Sequence, residues 1–266
     1  MSDSDKKITL NIFSNCSEVD VQKIPVRETV KSFHEVFGGD VILKTKFFIH
    51  DFPFKRSYNN LCQLISSFHD ALGTYEIHFT YGLAFGYKKS IVLCETEYAF
   101  QLEHDWLFNK ALIQHSIPDL LNAMKEGNID HLRFNKVRNA VGPCDIELRQ
   151  VAIAGIEFCR TPMRSNNPHL IHIPTYMQKY IHLIDPSRPG SRGVEENLWL
   201  APNSHIYGPL GYPATVEHND GRMRLRKLAK KLGKPTFNFL IRNGWLEAAF
   251  EAEYFLKQKF QRTTAQ

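Results

Sequence analysis

The sequence lacks any long hydrophobic run. No window approaches the roughly 18 apolar residues that a membrane-spanning helix needs. The first seven residues, Met-Ser-Asp-Ser-Asp-Lys-Lys, are polar and contain no apolar segment of the kind found in secretory signals. We therefore expect a cytoplasmic protein. Its 266 residues are 43% hydrophobic and 12% aromatic, which is sufficient for the packed core of one large domain or two small ones.

Paired cysteines and the common nucleotide-binding motifs are also missing. The five cysteines are an odd number without Cys-x-x-Cys spacing, which argues against a disulfide framework and against a zinc cluster. The glycine-containing segment Tyr81 to Gly86 is not followed by Gly-Lys-Ser/Thr, so it is not a Walker loop. It also lacks the third glycine of a dinucleotide fingerprint and does not follow the first predicted strand.

Positive and negative charges nearly balance along the chain, except in one late basic stretch. The net charge is only +5, and the excess is concentrated in residues 222–231, Arg-Met-Arg-Leu-Arg-Lys-Leu-Ala-Lys-Lys. This stretch is typical of a surface that binds phosphates, anionic lipid or nucleic acid. A solvated helix with leucines packed inward explains it equally well. The chain carries no recognised nucleic-acid motif, and we expect no nucleic-acid partner.

The first half alternates between strand and helix patterns. Strands are predicted over residues 7–13, 44–50, 75–80 and 98–102, and helices over 26–37, 59–72 and 86–93. This alternation predicts an α/β fold with a mostly parallel sheet covered by helices on both faces. The second half is less regular, with a helix over 117–125, a strand over 129–134, and polar loops over 160–174 and 185–193. A final helix is predicted over 245–260.

Two carboxylates follow the apolar strand that ends at Leu102. Glu103 and Asp105 lie one residue apart in Glu-His-Asp, directly before Trp106. In a strand, side chains two residues apart point the same way, so both acids can reach one hard cation while His104 points elsewhere. The alternative is that these acids cap a following helix or loop.

The segment from Glu95 to Trp106 resembles the part of GT-A glycosyltransferases in which a polar turn leads into a strand ending in an Asp-x-Asp-type motif. The resemblance implies the GT-A fold over residues 1–222, with 223–266 as a basic, helical C-terminal extension packed on it. It also implies a bound Mn²⁺ or Mg²⁺ that bridges the diphosphate of a nucleotide sugar. Asp105 matches the better-kept metal ligand of the motif, Glu103 replaces its first acid, and His104 adjoins the nucleotide sugar.

The same resemblance assigns the nucleotide-sugar site to turns at one edge of the sheet. Ser14 and Asn15 follow the first strand and Asp51 follows the second, where the family holds the base and ribose. An ordinary turn-initiating Asp51 before Phe-Pro is the alternative. Tyr81 and Gly82 lie in the loop that crosses the nucleotide.

A second acidic pair and a late histidine complete the predicted site. Glu195 and Glu196 resemble the position of the catalytic base in inverting family 2 enzymes, although they also suit a helix start. His218 resembles the third metal ligand of several GT-A enzymes, and an ordinary surface histidine is the alternative. Arg222 would neutralise the donor phosphates.

The predicted function is therefore a metal-dependent glycosyltransferase that moves a sugar from a nucleotide diphosphate donor to an acceptor hydroxyl, with inversion. We expect a carbohydrate or glycan acceptor, because aromatic residues that suit sugar stacking are frequent in the late loops. The alternative is a non-catalytic module that uses residues 222–231 to bind nucleic acid or a membrane surface. Contact with a membrane surface is compatible with either function.

Overall fold

The structure is a computed structural model that describes residues 7–15, 26–50, 65–66, 74–142, 145–187, 192–195 and 203–218. The chain divides into two compact units, Met1–Asn219 and Asp220–Gln266. All described residues lie in the first unit, so the predicted extension over 223–266 and its terminal helix lie outside them. In the described part of the chain, no helix has the length and apolarity needed to cross a bilayer.

Eleven strands occur in the described residues. In chain order they are β1 (Ile8–Asn15), β2 (Ile42–His50), β3 (Tyr75–Thr80), β4 (Tyr98–Glu103), β5 (Trp106–Phe108), β6 (His131–Arg133), β7 (Arg149–Ile153), β8 (Ile156–Thr161), β9 (His169–His172), β10 (Ser204–Tyr207) and β11 (Val216–His218).

Three helices of ten residues or more accompany them. They are α1 (Val26–Phe37), α2 (Gly82–Val92) and α3 (Ile117–Glu126). A further helical segment joins the turns Ile173–Thr175, Tyr176–Tyr180 and Ile181–Leu183, and a four-residue helix covers Arg192–Glu195.

A nine-stranded sheet forms the centre of the fold, in the order β3-β2-β1-β4-β9-β6-β10-β8-β7. The strands β3, β2, β1 and β4 pair in parallel, and β6 pairs in parallel with β10. Only β8 and β9 run against the other seven, because β9 is antiparallel to both β4 and β6 and β8 is antiparallel to both β10 and β7. The sheet is therefore mostly parallel, as predicted.

Apolar residues at helical spacing place α1 and α3 on one face of the sheet. In α1 the buried residues are Val26, Thr29, Val30, Phe33 and Phe37, which form one stripe along the helix. α1 ends before Gly38, whose φ of +78° suits the left-handed position that follows many helices. A capping box starts α3, because the side chains and backbones of Ser116 and Asp119 are reciprocally hydrogen-bonded.

The opposite face is covered by α2 and the helical segment that begins at Ile173. Leu83, Tyr87 and Ile91 of α2 share one buried apolar cluster with Tyr176 and Tyr180 of that segment. The central strand β4 is consequently buried on both faces, with Phe100 turned to the α1 cluster and Ala99 to the α2 cluster. Helices therefore cover both faces of the sheet, as the sequence predicted.

Two expectations of the sequence analysis need correction, and a third can be compared at two residues only. The predicted loop over 160–174 contains the end of β8 and all of β9, because four residues paired on both sides suffice for a buried strand. α2 starts at Gly82, so the predicted loop from Tyr81 to Gly86 is mostly its first turns. Of the helix predicted over 59–72, only residues 65–66 are described, and they are helical.

Candidate active site

The carboxyl ends of the parallel strands meet at one edge of the sheet, and β4 ends there with Glu103. Phe13 of β1 is the register partner of Glu103. The chain then turns through His104 and Asp105 into the short strand β5, which pairs with β11. In that pair His218 lies opposite Trp106. Three segments of the chain therefore converge at this edge.

The convergence brings together the three predicted metal ligands. One ligand atom from each of Glu103, Asp105 and His218 lies within 4.8 Å of the others. The Nε2 atom of His218 is 3.0 Å from the Oδ2 atom of Asp105. The expectation that Glu103 and Asp105 point together because both lie in one strand is wrong. The strand ends at Glu103, and the turn brings Asp105 to the same place.

The element that follows the two acids shows whether they cap a helix. Trp106–Phe108 is a strand, so Glu103 and Asp105 do not start a helix. Asp105 is only 6% exposed, and its Oδ1 atom has no hydrogen-bond partner. A buried carboxylate oxygen that lacks a partner is costly unless a ligand completes its coordination.

Electrostatics keep Asp105 ionised. Burial alone would raise its pKa, but the hydrogen bond from His218 and the electrostatic interactions with His104 and His218 outweigh this effect, so the pKa of Asp105 lies below its usual value. Burial also lowers the pKa of His104, which favours the neutral imidazole, although Asp105 opposes that shift. An ionised carboxylate is the form that binds a hard cation.

His104 fixes the turn rather than joining the cluster. Its backbone N–H donates to the carbonyl oxygen of Phe13 at 2.9 Å, and its Nδ1 atom is 3.3 Å from the same oxygen. Its own carbonyl oxygen accepts a hydrogen bond from the hydroxyl of Thr29 in α1 at 2.7 Å. The turn that carries Asp105 is thus tied to both β1 and α1.

A cluster of aromatic rings packs between α1 and the two strands that flank the turn. The ring of Phe33 in α1 contacts the rings of Phe100 in β4 and Phe108 in β5, at centroid distances of 5.0 and 5.8 Å. Phe37 and Phe134 add rings to the same cluster. Because these rings come from both sides of the turn, they fix the spacing between the ends of β4 and β5.

The residues present fit a divalent cation. Two carboxylates and one imidazole are ligands that Mn²⁺ accepts, and carboxylates with water suit Mg²⁺. The unpartnered Oδ1 atom of Asp105 gives this fit a specific position. Within the described residues, no other group of three histidine, cysteine or acidic side chains has this spacing.

The residues predicted to bind the nucleotide sugar are brought to the same edge only in part. Ser14 lies near the carboxyl end of β1, is 1% exposed, and has a hydroxyl without a hydrogen-bond partner. Tyr81 precedes α2 and is 89% exposed. Gly82 has a φ of +75°, a left-handed conformation that favours glycine. Gly86 serves packing, because a Cβ atom there would lie 3.1 Å from the hydroxyl of Thr80.

Several predicted residues lie beyond the described part of the chain. Asp51, Glu196 and Arg222 are outside the described residues. Asn15 and Glu195 are described as the last residues of β1 and of the helix Arg192–Glu195, and their side chains are outside the described part. The roles assigned to these five residues stay predictions.

Two residues at the cluster were missed by the sequence analysis. The ring of Trp106 lies 4.3 Å from that of His218, centroid to centroid, and the Nζ atom of Lys136 lies 5.7 Å from the centroid of the Trp106 ring. The position of Trp106 directly after the acids was a usable signal. Lys136 belongs to the loop after β6, and nothing in the sequence around it indicates that it lies near Trp106.

Comparison with known proteins identifies the fold. No family model matches the sequence, and no curated protein matches it. Solved structures do match. Residues 1–349 of TarS from S. aureus align with a TM-score of 0.53 at 10% identity, covering 83% of this chain and 62% of that one. The complex of that TarS fragment with UDP aligns with a TM-score of 0.50 at 12% identity, covering 79% and 59%.

GalNAc-T7, solved with UDP, GalNAc and Mn²⁺, aligns with a TM-score of 0.55 at 10% identity and covers 80% of this chain and 43% of that one. These neighbours are GT-A glycosyltransferases, and the chain has their fold, as the resemblance in the acidic segment implied. The chain spans between 43% and 62% of the length of these solved chains. At such low identity the likeness establishes the fold alone.

Proposed function

We propose that this chain is a metal-dependent glycosyltransferase that transfers a sugar from a nucleotide diphosphate donor to an acceptor hydroxyl, with inversion at the anomeric carbon. The observation that carries the proposal is the convergence of Glu103, Asp105 and His218 at the carboxyl edge of a GT-A sheet. This edge is where open α/β sheets bind their ligands.

The three residues of the cluster would hold Mn²⁺ or Mg²⁺. A divalent ion bound there neutralises negative charge on the diphosphate leaving group. The role of the protein is to keep Asp105 ionised and buried, and to hold the turn rigid through His104 and the aromatic cluster. Rigid placement matters because preorganised groups need no rearrangement when charge develops.

The donor nucleotide would lie along the carboxyl ends of β1 and β2 and the first turn of α2. Ser14, Asn15 and Asp51 would contact the base and ribose, and Tyr81, Gly82 and Arg222 the remainder of the donor. The buried, unpartnered hydroxyl of Ser14 supports this placement, because a ligand would supply its missing hydrogen bond. The neighbours solved with UDP support a nucleotide site in this fold.

Glu196, or Glu195, would remove the proton from the acceptor hydroxyl as that oxygen attacks the anomeric carbon. The helix Arg192–Glu195 lies beside α2, because Val194 belongs to the same buried cluster as Leu83 and Tyr87. α2 begins at the carboxyl edge, so this neighbourhood supports a base near the donor. We expect a carbohydrate or glycan as the acceptor.

A thermal-shift screen tests the donor site. UDP, GDP, CMP and their sugar conjugates are added with and without Mn²⁺, to the wild-type protein and to Asp105→Ala. A ligand that binds only the folded state raises the melting temperature. The proposal predicts stabilisation by one nucleotide class that requires Mn²⁺ and is lost in Asp105→Ala. If no nucleotide stabilises the wild-type protein in the presence of metal, the proposal is wrong.

A further inference from the structure

The proposed metal cluster carries no net positive charge when it is occupied. The carboxylates of Glu103 and Asp105 together balance the charge of a divalent cation, and the neutral imidazole of His218 adds none. A nucleoside diphosphate that leaves the sugar bears several negative charges. The cluster alone therefore provides coordination without an excess of positive charge, so a cation beside it, in addition to the proposed Arg222, would stabilise the leaving diphosphate.

Lys136 is a cation in the right place. Its side chain is exposed, and its Nζ atom lies 5.7 Å from the centre of the Trp106 ring, a cation–π distance. The same ring also contacts the ring of His218, at 4.3 Å between centroids. Trp106 thus contacts both the ammonium group and a proposed metal ligand, and the exposed side chain of Lys136 can be reached by a bound anion.

The backbone beside Lys136 is fixed to the strand that carries His218. The N–H of Asn135 donates to the hydroxyl of Thr215 at 3.1 Å, and the carbonyl oxygen of Asn135 accepts from the N–H of Thr215 at 2.9 Å. Asn135 is 3% exposed, and Thr215 directly precedes β11. The backbone positions that carry Lys136 and His218 are therefore joined by one hydrogen-bonded unit, which limits how much of the chain must be ordered when Lys136 binds an anion.

The carboxylates in the described part of the chain leave Lys136 unpaired. Among the residues that the structure describes, none forms an ion pair with it, whereas Lys44 and Lys46 both pair with Glu95. A lysine that is already paired would have to give up its partner before binding a phosphate. As far as the described carboxylates are concerned, Lys136 needs no such exchange, and its ammonium group offers three N–H donors to an incoming anion.

We infer that Lys136 binds the diphosphate of the nucleotide-sugar donor and supplies the positive charge that the metal cluster lacks. This inference rests on the proposed function. In the transfer step the bond from the anomeric carbon to the diphosphate oxygen breaks, its electron pair stays on that oxygen, and the acceptor oxygen forms the new bond. Lys136 stabilises the negative charge that this oxygen gains.

Binding measurements with a series of nucleotides test the inference. Isothermal titration calorimetry with Mn²⁺ present compares UDP, UMP and uridine, and GDP, GMP and guanosine, on the wild-type protein and on Lys136→Ala. Loss of one charge-assisted contact should weaken diphosphate binding by about tenfold to a hundredfold. Binding of the nucleoside should stay unchanged, and Lys136→Arg should restore most of the affinity for the diphosphate.

Lys125→Ala is the matched control, because Lys125 is also an exposed lysine and lies in the last turn of α3, away from the cluster. It should bind every ligand as the wild-type protein does. Equal diphosphate affinity in Lys136→Ala and wild type would overturn the inference alone. Equal losses for diphosphate, monophosphate and nucleoside would overturn it too, because they would show a structural role. A wild-type protein that binds no diphosphate would contradict the proposed function itself.

Discussion

Lowering the pH from about 7 to about 4.5 is expected to destabilise the fold steeply, because His131, His169 and His205 are buried in the neutral form with strongly lowered pKa values. Burial lowers the pKa of His169 to about 3 and that of His205 to about 4. Burial, together with the neighbouring charge of His169 and of two arginines, lowers the pKa of His131 well below its usual value. In the unfolded chain each of these groups returns to a pKa of about 6.5.

The direction of the change in the free energy of unfolding follows from proton binding. Between about pH 6.5 and about pH 4, the unfolded chain binds protons at these histidines and the folded chain does not, so the free energy of unfolding falls as the pH falls. Each histidine contributes about 1.4 kcal/mol per pH unit, and three contribute about 4 kcal/mol per pH unit. Over two pH units this loss is comparable to the roughly 5–15 kcal/mol that stabilises a typical domain.

Urea denaturation at a series of pH values between about 6.5 and 4.5 measures this slope. The variant His205→Gln should reduce the slope by about 1.4 kcal/mol per pH unit, whatever its effect on the stability at neutral pH. The matched control is His182→Gln, at an exposed histidine, which should leave the slope unchanged. If His205→Gln leaves the slope as it is in the wild-type protein, the reasoning from buried neutral histidines is wrong.

Three further substitutions test other parts of the structure. His218→Ala should lower the affinity for Mn²⁺, measured calorimetrically with nucleotide present, by at least about tenfold; an unchanged affinity would remove His218 from the ligand set. Ser116→Ala breaks the capping box of α3 and should lower the free energy of unfolding by about 1 kcal/mol, whereas Ser116→Asp should retain most of it. Phe33→Ala removes a ring from the aromatic cluster and should cost about 3–5 kcal/mol in urea denaturation, and a cost below about 1 kcal/mol would show that the cluster does not support the turn.

The first half of the fold was predictable because its signals are local. The helix predicted over 26–37 and the strand predicted over 75–80 have the same bounds in the structure. Each has a periodic apolar pattern and a clear boundary, such as the glycine pair after Phe37. The acids at the end of β4 were predictable for the same reason. The apolar run of this buried strand ends directly before Glu103 and Asp105.

The second half depends on contacts between distant segments. β9 is four residues long and contains two histidines, so its sequence carries little strand signal. It is stabilised as a strand by pairing with β4 on one side and β6 on the other. Lys136 is a similar case, because its neighbour Asn135 pairs with Thr215, 80 residues away in the sequence, and its contact with Trp106 has no signal in the local sequence.

Release of nucleoside diphosphate from sugar nucleotides is the most direct measurement of the central claim. Purified protein is incubated with UDP- and GDP-sugars, with Mn²⁺ or with EDTA, and the released diphosphate is quantified for the wild-type protein and for Asp105→Ala. The account predicts release from one donor class that requires the metal and falls at least about a hundredfold in Asp105→Ala. Release that persists in EDTA and in Asp105→Ala, or no release from any donor, would contradict it.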